Sequence, residues 1–343
     1  MKKLLMILTN ARRDCCGITL DTLERSGSLK VFDHIVFLLN GVSERHMRFV
    51  DSFIAQHPDL SCDKVLGNGT RPQGIADMQN RCIEKYPEAL YMKVDEDVFV
   101  PDGWAERMLA AYEANKHRDN LALITPLIPN NAFGLHTLLT RFYPEWLSEF
   151  RQRFGHDPDP SRAGSTWQSP YIAEWATRKF LDLEQANEGQ RRRLEAGDQE
   201  LDVGSQKLEV GSQRSEVGSR KSDLRPPNSD LSFSDPFSIG CIAYDYRHWQ
   251  RMGGIPETDE PGWTSWVRDH EQINILDCSQ IVLHYSFFVQ AEWLDRTSLL
   301  EDIRRINLPG TLRAAQRLGL TRATRITKQI PGIVKRRFGI RDT

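Results

Sequence analysis

Strand-like and helix-like segments alternate over the first ~125 of the chain's 343 residues, and this order constrains the fold more than any other feature. Apolar runs typical of buried strands occupy residues 4–9, 35–39, 64–66, 90–94 and 121–124. Segments with apolar residues at helical spacing separate them, for example Ile75, Met78, Cys82 and Ile83. Short connections between alternating strands and helices predict an α/β fold, with a doubly wound, mostly parallel sheet flanked by helices.

Three adjacent acids, Asp95, Glu96 and Asp97, follow the fourth predicted strand, and apolar residues resume directly after them. Neighbouring carboxylates repel one another, and the edge of a buried sheet is a costly place for them. A divalent cation, Mn²⁺ or Mg²⁺, would remove this cost because both ions accept carboxylate oxygens. The alternative is a solvated acidic turn that caps a helix beginning near Pro101.

The carboxyl ends of the predicted strands carry further polar residues. Residues 10–13 follow the first strand, and Asn40 follows the second. In open α/β sheets ligands bind beyond these strand ends. The first strand is not followed by GxGxxG, and GxxxxGK[ST] does not occur, so neither a dinucleotide-binding fold nor a P-loop is supported. Phosphates bound here would be neutralised by a cation rather than held by glycines.

The net charge of −2 conceals an asymmetry between the body and the C-terminus of the chain. Residues 311–343 carry nine Lys and Arg against one acid, which leaves the first 310 residues with ten more acids than bases. The negative net charge of the first 310 residues argues against nucleic-acid binding. The basic tail is interleaved with apolar residues and predicts an amphipathic patch for an anionic membrane surface. A solvated or core-docked terminal helix is the alternative.

Cysteine usage and hydropathy indicate the compartment. The six cysteines form no CxxC pair, which argues against a disulfide scaffold or a structural zinc site and favours a reducing environment. The apolar start is too short for a signal peptide, and no segment approaches the ~20 apolar residues of a membrane span. We therefore predict a cytoplasmic protein, either free or peripheral on the cytosolic face of a membrane.

The middle of the chain is irregular. Residues 126–182 are rich in aromatic side chains, several at helical spacing and therefore expected in the core, although exposed aromatics can also stack on sugars. Residues 194–228 form a degenerate seven-residue repeat. Glycine stands three residues after each leucine, where a coiled coil needs its second apolar residue. The repeat therefore predicts a polar, mostly disordered linker closed by Pro226 and Pro227.

Taken in order, these features resemble the GT-A glycosyltransferases, particularly the family-2-like inverting enzymes. The resemblance covers about residues 3–126 and 233–295. It rests on residues 10–13, Gly74 and Asn80, the run Lys93-Val94-Asp95-Glu96-Asp97, Gly240, the pair Gly253-Gly254, an acidic pair opening a later helix, and His284 at a strand end. It implies a GT-A (Rossmann-like) mixed, mostly parallel sheet, with a disordered repeat insertion and a basic C-terminal helical tail.

The resemblance also implies roles for individual residues. Asp97 would ligate Mn²⁺ or Mg²⁺, with His284 completing the site and Asp95 approaching the ribose or the metal. The expected residues around the nucleotide-sugar are Thr9, Asn10, Arg12, Asn40, Arg71, Gly74, Asn80, Asp95 and Glu96. For His284 a core histidine in an apolar strand is the alternative, and for Arg12 a solvated loop charge.

An inverting transfer needs a carboxylate that takes the proton of the acceptor hydroxyl. Asp269 and Glu271 are the predicted candidates, with Asp269 favoured, although His270 separates them where the family has adjacent acids. An N-cap Asp with a surface Glu behind it is the alternative.

The expected activity is metal-dependent transfer of a sugar from a nucleotide-diphosphate sugar to a carbohydrate or lipid-linked acceptor, as in polysaccharide biosynthesis. A sugar nucleotidyltransferase and a non-catalytic scaffold of the same fold are the rivals. The predicted organisation is a nucleotide-sugar-binding half (1–126), an aromatic-rich acceptor-side segment (127–182), a repeat linker (183–232), an acceptor and catalytic half (233–300) and a basic tail (301–343).

Overall fold

The computed structural model describes residues 1–160, 166, 168–205, 230–233, 237–285 and 290–308. Residues 206–229 of the predicted repeat linker and the basic tail from residue 309 onward lie outside these residues. Among the helices that are described, none is at once long and apolar enough to cross a bilayer.

The described elements alternate as the sequence predicts through residue 127. The strands are β1 (Lys2–Thr9), β2 (His34–Asn40), β3 (Cys62–Gly67), β4 (Ala89–Asp95), β5 (Val98–Phe99), β6 (Leu121–Leu127), β7 (Asp230–Phe233), β8 (Cys241–Asp245), β9 (Ile273–Ile281) and β10 (Leu283–His284). The helices are α1 (Arg13–Arg25), α2 (Glu44–Gln56), α3 (Gln73–Lys85), α4 (Trp104–Asn115), α5 (Ala132–Thr137), α6 (Leu147–Phe154), α7 (Pro170–Lys179), α8 (Leu183–Ser205), α9 (Tyr246–Met252), α10 (Glu260–Asp269), α11 (Ala291–Leu294) and α12 (Leu299–Asn307).

Within the described residues, an eight-stranded mixed sheet has the order β3-β2-β1-β4-β8-β6-β9-β7. Strands β3, β2, β1 and β4 are mutually parallel, and β6 is parallel to β9. Strand β8 runs antiparallel between β4 and β6. A small antiparallel pair, β5 with β10, lies apart from this sheet. The predicted α/β class with a mixed sheet flanked by helices is confirmed.

Alternate residues of the central strands pack on opposite faces of the sheet, as the period of two requires. Leu5 and Ile7 of β1 belong to a core that includes α1, α2 and α4, whereas Leu4 and Met6 pack with α3 and α10. Because both faces are covered, apolar residues occupy both faces of these strands.

The aromatic-rich segment builds a core of its own. Phe150 of α6 and Trp175 of α7 pack edge to face, and Leu135 and Ile172 belong to the same buried cluster. Tyr143 is also buried. The core interpretation of the aromatics at helical spacing is therefore correct.

Helix α8 corrects the linker prediction over residues 183–205. Leu194, the first leucine of the repeat, is buried against the rest of the core. Asn187 fastens the helix to β9 because its amide donates to Ile281 O at 2.9 Å and accepts from Ile281 N at 2.9 Å. The contacts of the apolar and amide side chains of residues 183–194 thus stabilise a helix despite the glycines of the repeat. Residues 206–229 lie outside the described residues.

Helix α10 begins one residue after Asp259 and carries Pro261 in its first turn, where proline is well tolerated. Trp263 and Val267 then bury the helix against the sheet.

Candidate active site

A cleft of about 320 Å³ opens at the carboxyl ends of β1, β2 and β4. It lies where ligands bind in open α/β sheets. Eight of the predicted site residues line it: Asn10, Arg12, Asn40, Arg71, Asp95, Glu96, Asp97 and His284. Five others do not: Thr9, Gly74, Asn80, Asp269 and Glu271. Ser238 and Glu260 also line the cleft and were not predicted.

The small sheet places His284 beside Asp97. His284 of β10 pairs with Val98 of β5, and Tyr285 N donates to Asp97 O at 2.8 Å. The His284 Nε2 atom lies 3.1 Å from Asp97 Oδ1, and both side chains are buried. Burial alone would lower the pKa of His284, but the neighbouring Asp97 carboxylate raises it above its usual value.

Arg12 occupies the other side of Asp97. Its Nη1 lies 2.8 Å from Asp97 Oδ2, and its Nη2 lies 3.1 Å from Asp295 Oδ1. The guanidinium carbon stands 4.8 Å from the centre of the Tyr285 ring, within the range of a cation–π contact. The cleft wall therefore contains a cation between two carboxylates that belong to distant parts of the chain.

Asp95 has a different and more deeply buried partner. Lys93 Nζ lies 2.6 Å from Asp95 Oδ1 and donates to Ile239 O at 2.9 Å, and the Lys93 side chain is only 1% exposed. Burial lowers the pKa of Lys93, but the surrounding carboxylates, Asp95 foremost, raise it overall, so the amine stays charged. The contact between Lys93 and Asp95 could be expected from the sequence, because residues two apart on a strand share one face.

Glu96 lines the cleft and also bonds to the loop between β1 and α1. Its carboxylate accepts from Thr9 Oγ1 at 2.6 Å and from the backbone amides of residues 10–12 at 3.0–3.3 Å. Thr9 Oγ1 also lies 2.7 Å from His46 Nε2, and burial lowers the pKa of His46 to about 4. Glu96 and Thr9 therefore fix the loop between β1 and α1, including the backbone of Arg12.

Asn40 and Gly74 shape the neighbouring loop between β3 and α3. The Asn40 side chain accepts from Gly69 N at 2.9 Å and donates to Thr70 O at 3.0 Å. A Cβ on Gly74 would lie 2.7 Å from Thr70 Oγ1, so the close packing of this loop on α3 requires glycine. Asn40 also faces the cleft, whereas Gly74 acts only through packing.

Asn80 is structural as well. It accepts from Trp249 Nε1 at 2.8 Å and from Ile255 N at 2.7 Å, and it donates to Ile255 O at 3.0 Å. These bonds hold the turn after Gly254 that leads to the start of α10. Asn80 therefore fixes the segment that precedes α10 and does not line the cleft.

The structure does not bring Asp269 and Glu271 to the cleft. Asp269 is the last residue of α10, is exposed and pairs with Arg268 at 3.1 Å. Glu271 is also exposed. The ten-residue helix is about 15 Å long at 1.5 Å per residue, and its other end lies at the cleft. The predicted acids stand at the wrong end of the helix.

The acidic pair at the cleft is Asp259 and Glu260. Asp259 precedes α10 with a φ of 52°, a conformation rare outside glycine, and accepts from Gln79 Nε2 at 3.0 Å. Burial raises the pKa of Asp259 to about 6. Burial, and then the neighbouring Asp259, raise the pKa of Glu260 to about 7. Two adjacent acids before Pro261 were the signal that sequence reasoning passed over.

Asp95, Asp97 and His284 fit a divalent cation by the chemistry of their donors, since Mn²⁺ and Mg²⁺ accept carboxylate oxygen and Mn²⁺ also imidazole nitrogen. Gly240 leaves room between them, because a Cβ there would lie 3.1 Å from Asp95 Oδ2 and 3.2 Å from His284 Cε1. In the described part of the chain, no three acidic, cysteine or histidine side chains converge on a metal-binding geometry as they stand. Both carboxylate oxygens of Asp97 face other groups, Arg12 and His284.

No protein-family model matches this chain, and neither does any curated protein sequence. Among solved structures it is similar to the mannosyltransferase PcManGT from Pyrobaculum calidifontis in complex with GDP-Man and Mn²⁺, at 11% identity and a TM-score of 0.46. That match covers 85% of this chain and 59% of PcManGT. GalNAc-T7 with UDP, GalNAc and Mn²⁺ is 12% identical with a TM-score of 0.44, and the match covers 89% of this chain and 47% of GalNAc-T7.

A third similar structure is 4-diphosphocytidyl-2C-methyl-D-erythritol synthase from Anaerococcus prevotii, at 17% identity and a TM-score of 0.28, with 37% of this chain and 56% of that chain covered. This chain thus spans less than two thirds of each of these three proteins.

Proposed function

We propose that this chain is a glycosyltransferase that moves a sugar from a nucleotide-diphosphate sugar to a carbohydrate or lipid-linked acceptor with inversion. The observation that carries the proposal is the cleft itself. It brings Asp95, Asp97 and His284 together on one wall and places Glu260, at the start of a helix, on the same cleft.

The donor side of the cleft suits a nucleoside diphosphate. Arg12 and Arg71 provide guanidinium groups, whose planar fork matches phosphate oxygens. Asn10 and Asn40 stand at the ends of β1 and β2 and line the part of the cleft proposed for the base or ribose. Asn10 Nδ2 donates to Asn40 O at 2.5 Å, so the two strand ends form one surface.

Asp97 and His284 would hold a divalent cation, with Asp95 beside them. When bound, Mn²⁺ or Mg²⁺ would stabilise the negative charge that develops on the departing nucleoside diphosphate. Lys93 keeps Asp95 oriented by holding one of its oxygens.

Glu260 is the proposed base, in place of Asp269 or Glu271. A general base works best when its pKa lies near the working pH, and burial raises the pKa of Glu260 to about 7. Its carboxylate would accept the proton of the acceptor hydroxyl as that oxygen bonds to the anomeric carbon. The bond between this carbon and the diphosphate oxygen breaks, and attack from the opposite face inverts the configuration.

The predicted membrane patch at residues 311–343 lies outside the described residues and stays part of the proposal for a lipid-linked acceptor. Co-sedimentation with vesicles that contain anionic lipids, with and without these residues, tests it. Equal binding of both proteins would contradict the membrane patch.

The activity is tested by incubating the protein with UDP-, GDP-, CDP- and dTDP-sugars in the presence of Mn²⁺ or Mg²⁺. We expect release of a nucleoside diphosphate from one donor class, loss of this release with EDTA, and loss in Asp97→Ala with an unchanged melting temperature. Release of pyrophosphate from a sugar phosphate and a nucleoside triphosphate would instead select the nucleotidyltransferase. Absence of any metal-dependent binding or turnover would select the scaffold.

A further inference from the structure

We propose that Arg12 competes with a divalent cation for Asp97, so that the cation binds tightly only together with a diphosphate that draws the guanidinium away. This inference rests on the proposed function, because it assumes that Asp97 is a cation ligand. It adds a coupling between donor binding and metal binding that depends on the Arg12 side chain.

The competition follows from the contacts of Asp97. Its Oδ2 atom lies 2.8 Å from Arg12 Nη1, a charge-assisted hydrogen bond of ordinary length. A cation bound to the same oxygen would stand about 2.0–2.2 Å from it, as metal–carboxylate distances require. A guanidinium and a metal ion that share one carboxylate oxygen repel each other in this largely buried wall.

Arg12 can change partners without moving its backbone. The backbone amide of Arg12 is held by Glu96 Oε1 at 3.2 Å, so the start of the side chain is fixed. The guanidinium also contacts Asp295 and the Tyr285 ring, which keep it at the cleft when it leaves Asp97. Its side chain is 23% exposed and faces the volume where a diphosphate would lie.

A diphosphate resolves the conflict in favour of the cation. Phosphate oxygens accept the guanidinium fork in the bidentate manner that a single carboxylate oxygen does not. The oxygen released on Asp97 is then available to the cation. Because binding free energies are linked, the diphosphate must strengthen cation binding by the same factor by which the cation strengthens diphosphate binding.

The test measures Mn²⁺ binding by equilibrium dialysis with no nucleotide present, on the full-length protein. We expect Arg12→Gln to bind Mn²⁺ about tenfold more tightly than the wild type, because a neutral amide no longer competes for Asp97. Arg71→Gln is the matched control, since it also removes one positive charge from the cleft. It should change Mn²⁺ affinity by no more than about twofold.

A second arm adds inorganic pyrophosphate, and a protein-free chamber accounts for the Mn²⁺ that pyrophosphate itself holds. Pyrophosphate should raise the Mn²⁺ affinity of the wild type by about tenfold or more and that of Arg12→Gln much less. Arg12→Lys serves as a second variant, because a single ammonium cannot bridge Asp97 and Asp295 together. The Mn²⁺ affinity of Arg12→Lys should fall between those of the wild type and Arg12→Gln.

Equal Mn²⁺ affinity of the wild type and Arg12→Gln, with pyrophosphate strengthening both alike, would overturn the competition and leave the proposed function standing. Absence of Mn²⁺ binding in every variant, with and without pyrophosphate, would overturn the proposed function as well. If Arg12→Gln does not fold, a Mn²⁺ affinity of Arg12→Lys equal to that of the wild type contradicts the inference.

Discussion

Substitution of Gly240 by alanine should damage the site far more than it damages the fold. Gly240 O accepts from Asp95 N at 2.8 Å, so this residue lies directly behind the carboxylate. The added methyl carbon would stand 3.1 Å from Asp95 Oδ2, 3.2 Å from His284 Cε1 and 3.4 Å from Ser238 Oγ. The first two contacts are a few tenths of an ångström tighter than ordinary van der Waals contact, and the third is at its lower limit.

The cost to stability is modest because the crowded groups can shift slightly. An overpacked methyl group costs about 1–3 kcal/mol, and replacing glycine lowers the entropy of the unfolded chain by an amount worth about 0.4–1 kcal/mol. We therefore expect a net loss of about 1–2 kcal/mol in the free energy of unfolding. A metal site tolerates displacements of only about 0.2 Å, so Asp95 and His284 should lose cation affinity by about 10–100-fold.

The measurement is Mn²⁺ affinity together with kcat/KM for the donor, alongside urea unfolding. Gly17→Ala in α1 is the matched control, because a Cβ there meets only Phe49 Cζ at 3.8 Å. That variant should gain about 0.5–1 kcal/mol of stability from a better helix former and keep its activity. If Gly240→Ala binds Mn²⁺ as tightly as the wild type, the assignment of Asp95 and His284 to the cation site is refuted.

Four further outcomes follow from the structure. Glu260→Gln should lower kcat/KM by about 10²–10⁴-fold while Asp269→Asn leaves it unchanged, and equal losses would return the base to the far end of α10. Because the base must be deprotonated and burial raises the pKa of Glu260 to about 7, kcat/KM of the wild type should rise with pH through about 7, and a flat profile would exclude this base. Glu96→Gln should destabilise the fold by about 1–3 kcal/mol in thermal unfolding, since the amide cannot accept all four hydrogen bonds. Leu194→Ala should cost about 2–5 kcal/mol if this residue is core, as the structure shows, and nothing if it belongs to a linker.

Much of the donor side of the cleft could be predicted because it depends on local order. An apolar run in the sequence predicts a buried strand, and the first polar residue after the run predicts where the strand ends. Asn10, Asn40 and the three acids of residues 95–97 therefore had their positions fixed by the alternation of strands and helices. His284 followed from the same reasoning, although its contact with Asp97 depends on the pairing of β10 with β5, which local patterns do not reveal.

The features that the sequence did not reveal depend on long-range packing. Asn80 sits on the helix that the sequence predicted, but its partners Trp249 and Ile255 are about 170 residues away in the chain. Helix α8 depends on β9 for its burial, so the composition of the repeat alone suggested a linker. The acids that the resemblance selected, Asp269 and Glu271, stand at and beyond the far end of α10, because burial of Trp263 and Val267 against the sheet sets the course of this helix.

Asp95 and Asp97, the two acids proposed to face the cation, differ in how firmly their charges are balanced. This difference separates their roles. Asp95 is held by Lys93, which is buried and also tied to Ile239 O, so this pair cannot exchange partners without exposing a buried cation. Asp97 is paired on one oxygen with Arg12, whose side chain is 23% exposed, and on the other with His284. An acid with an exchangeable counter-charge can accept a metal ion and release it again. Asp97 is therefore the ligand expected to load and unload the cation, and Asp95 the fixed group that shapes its surroundings.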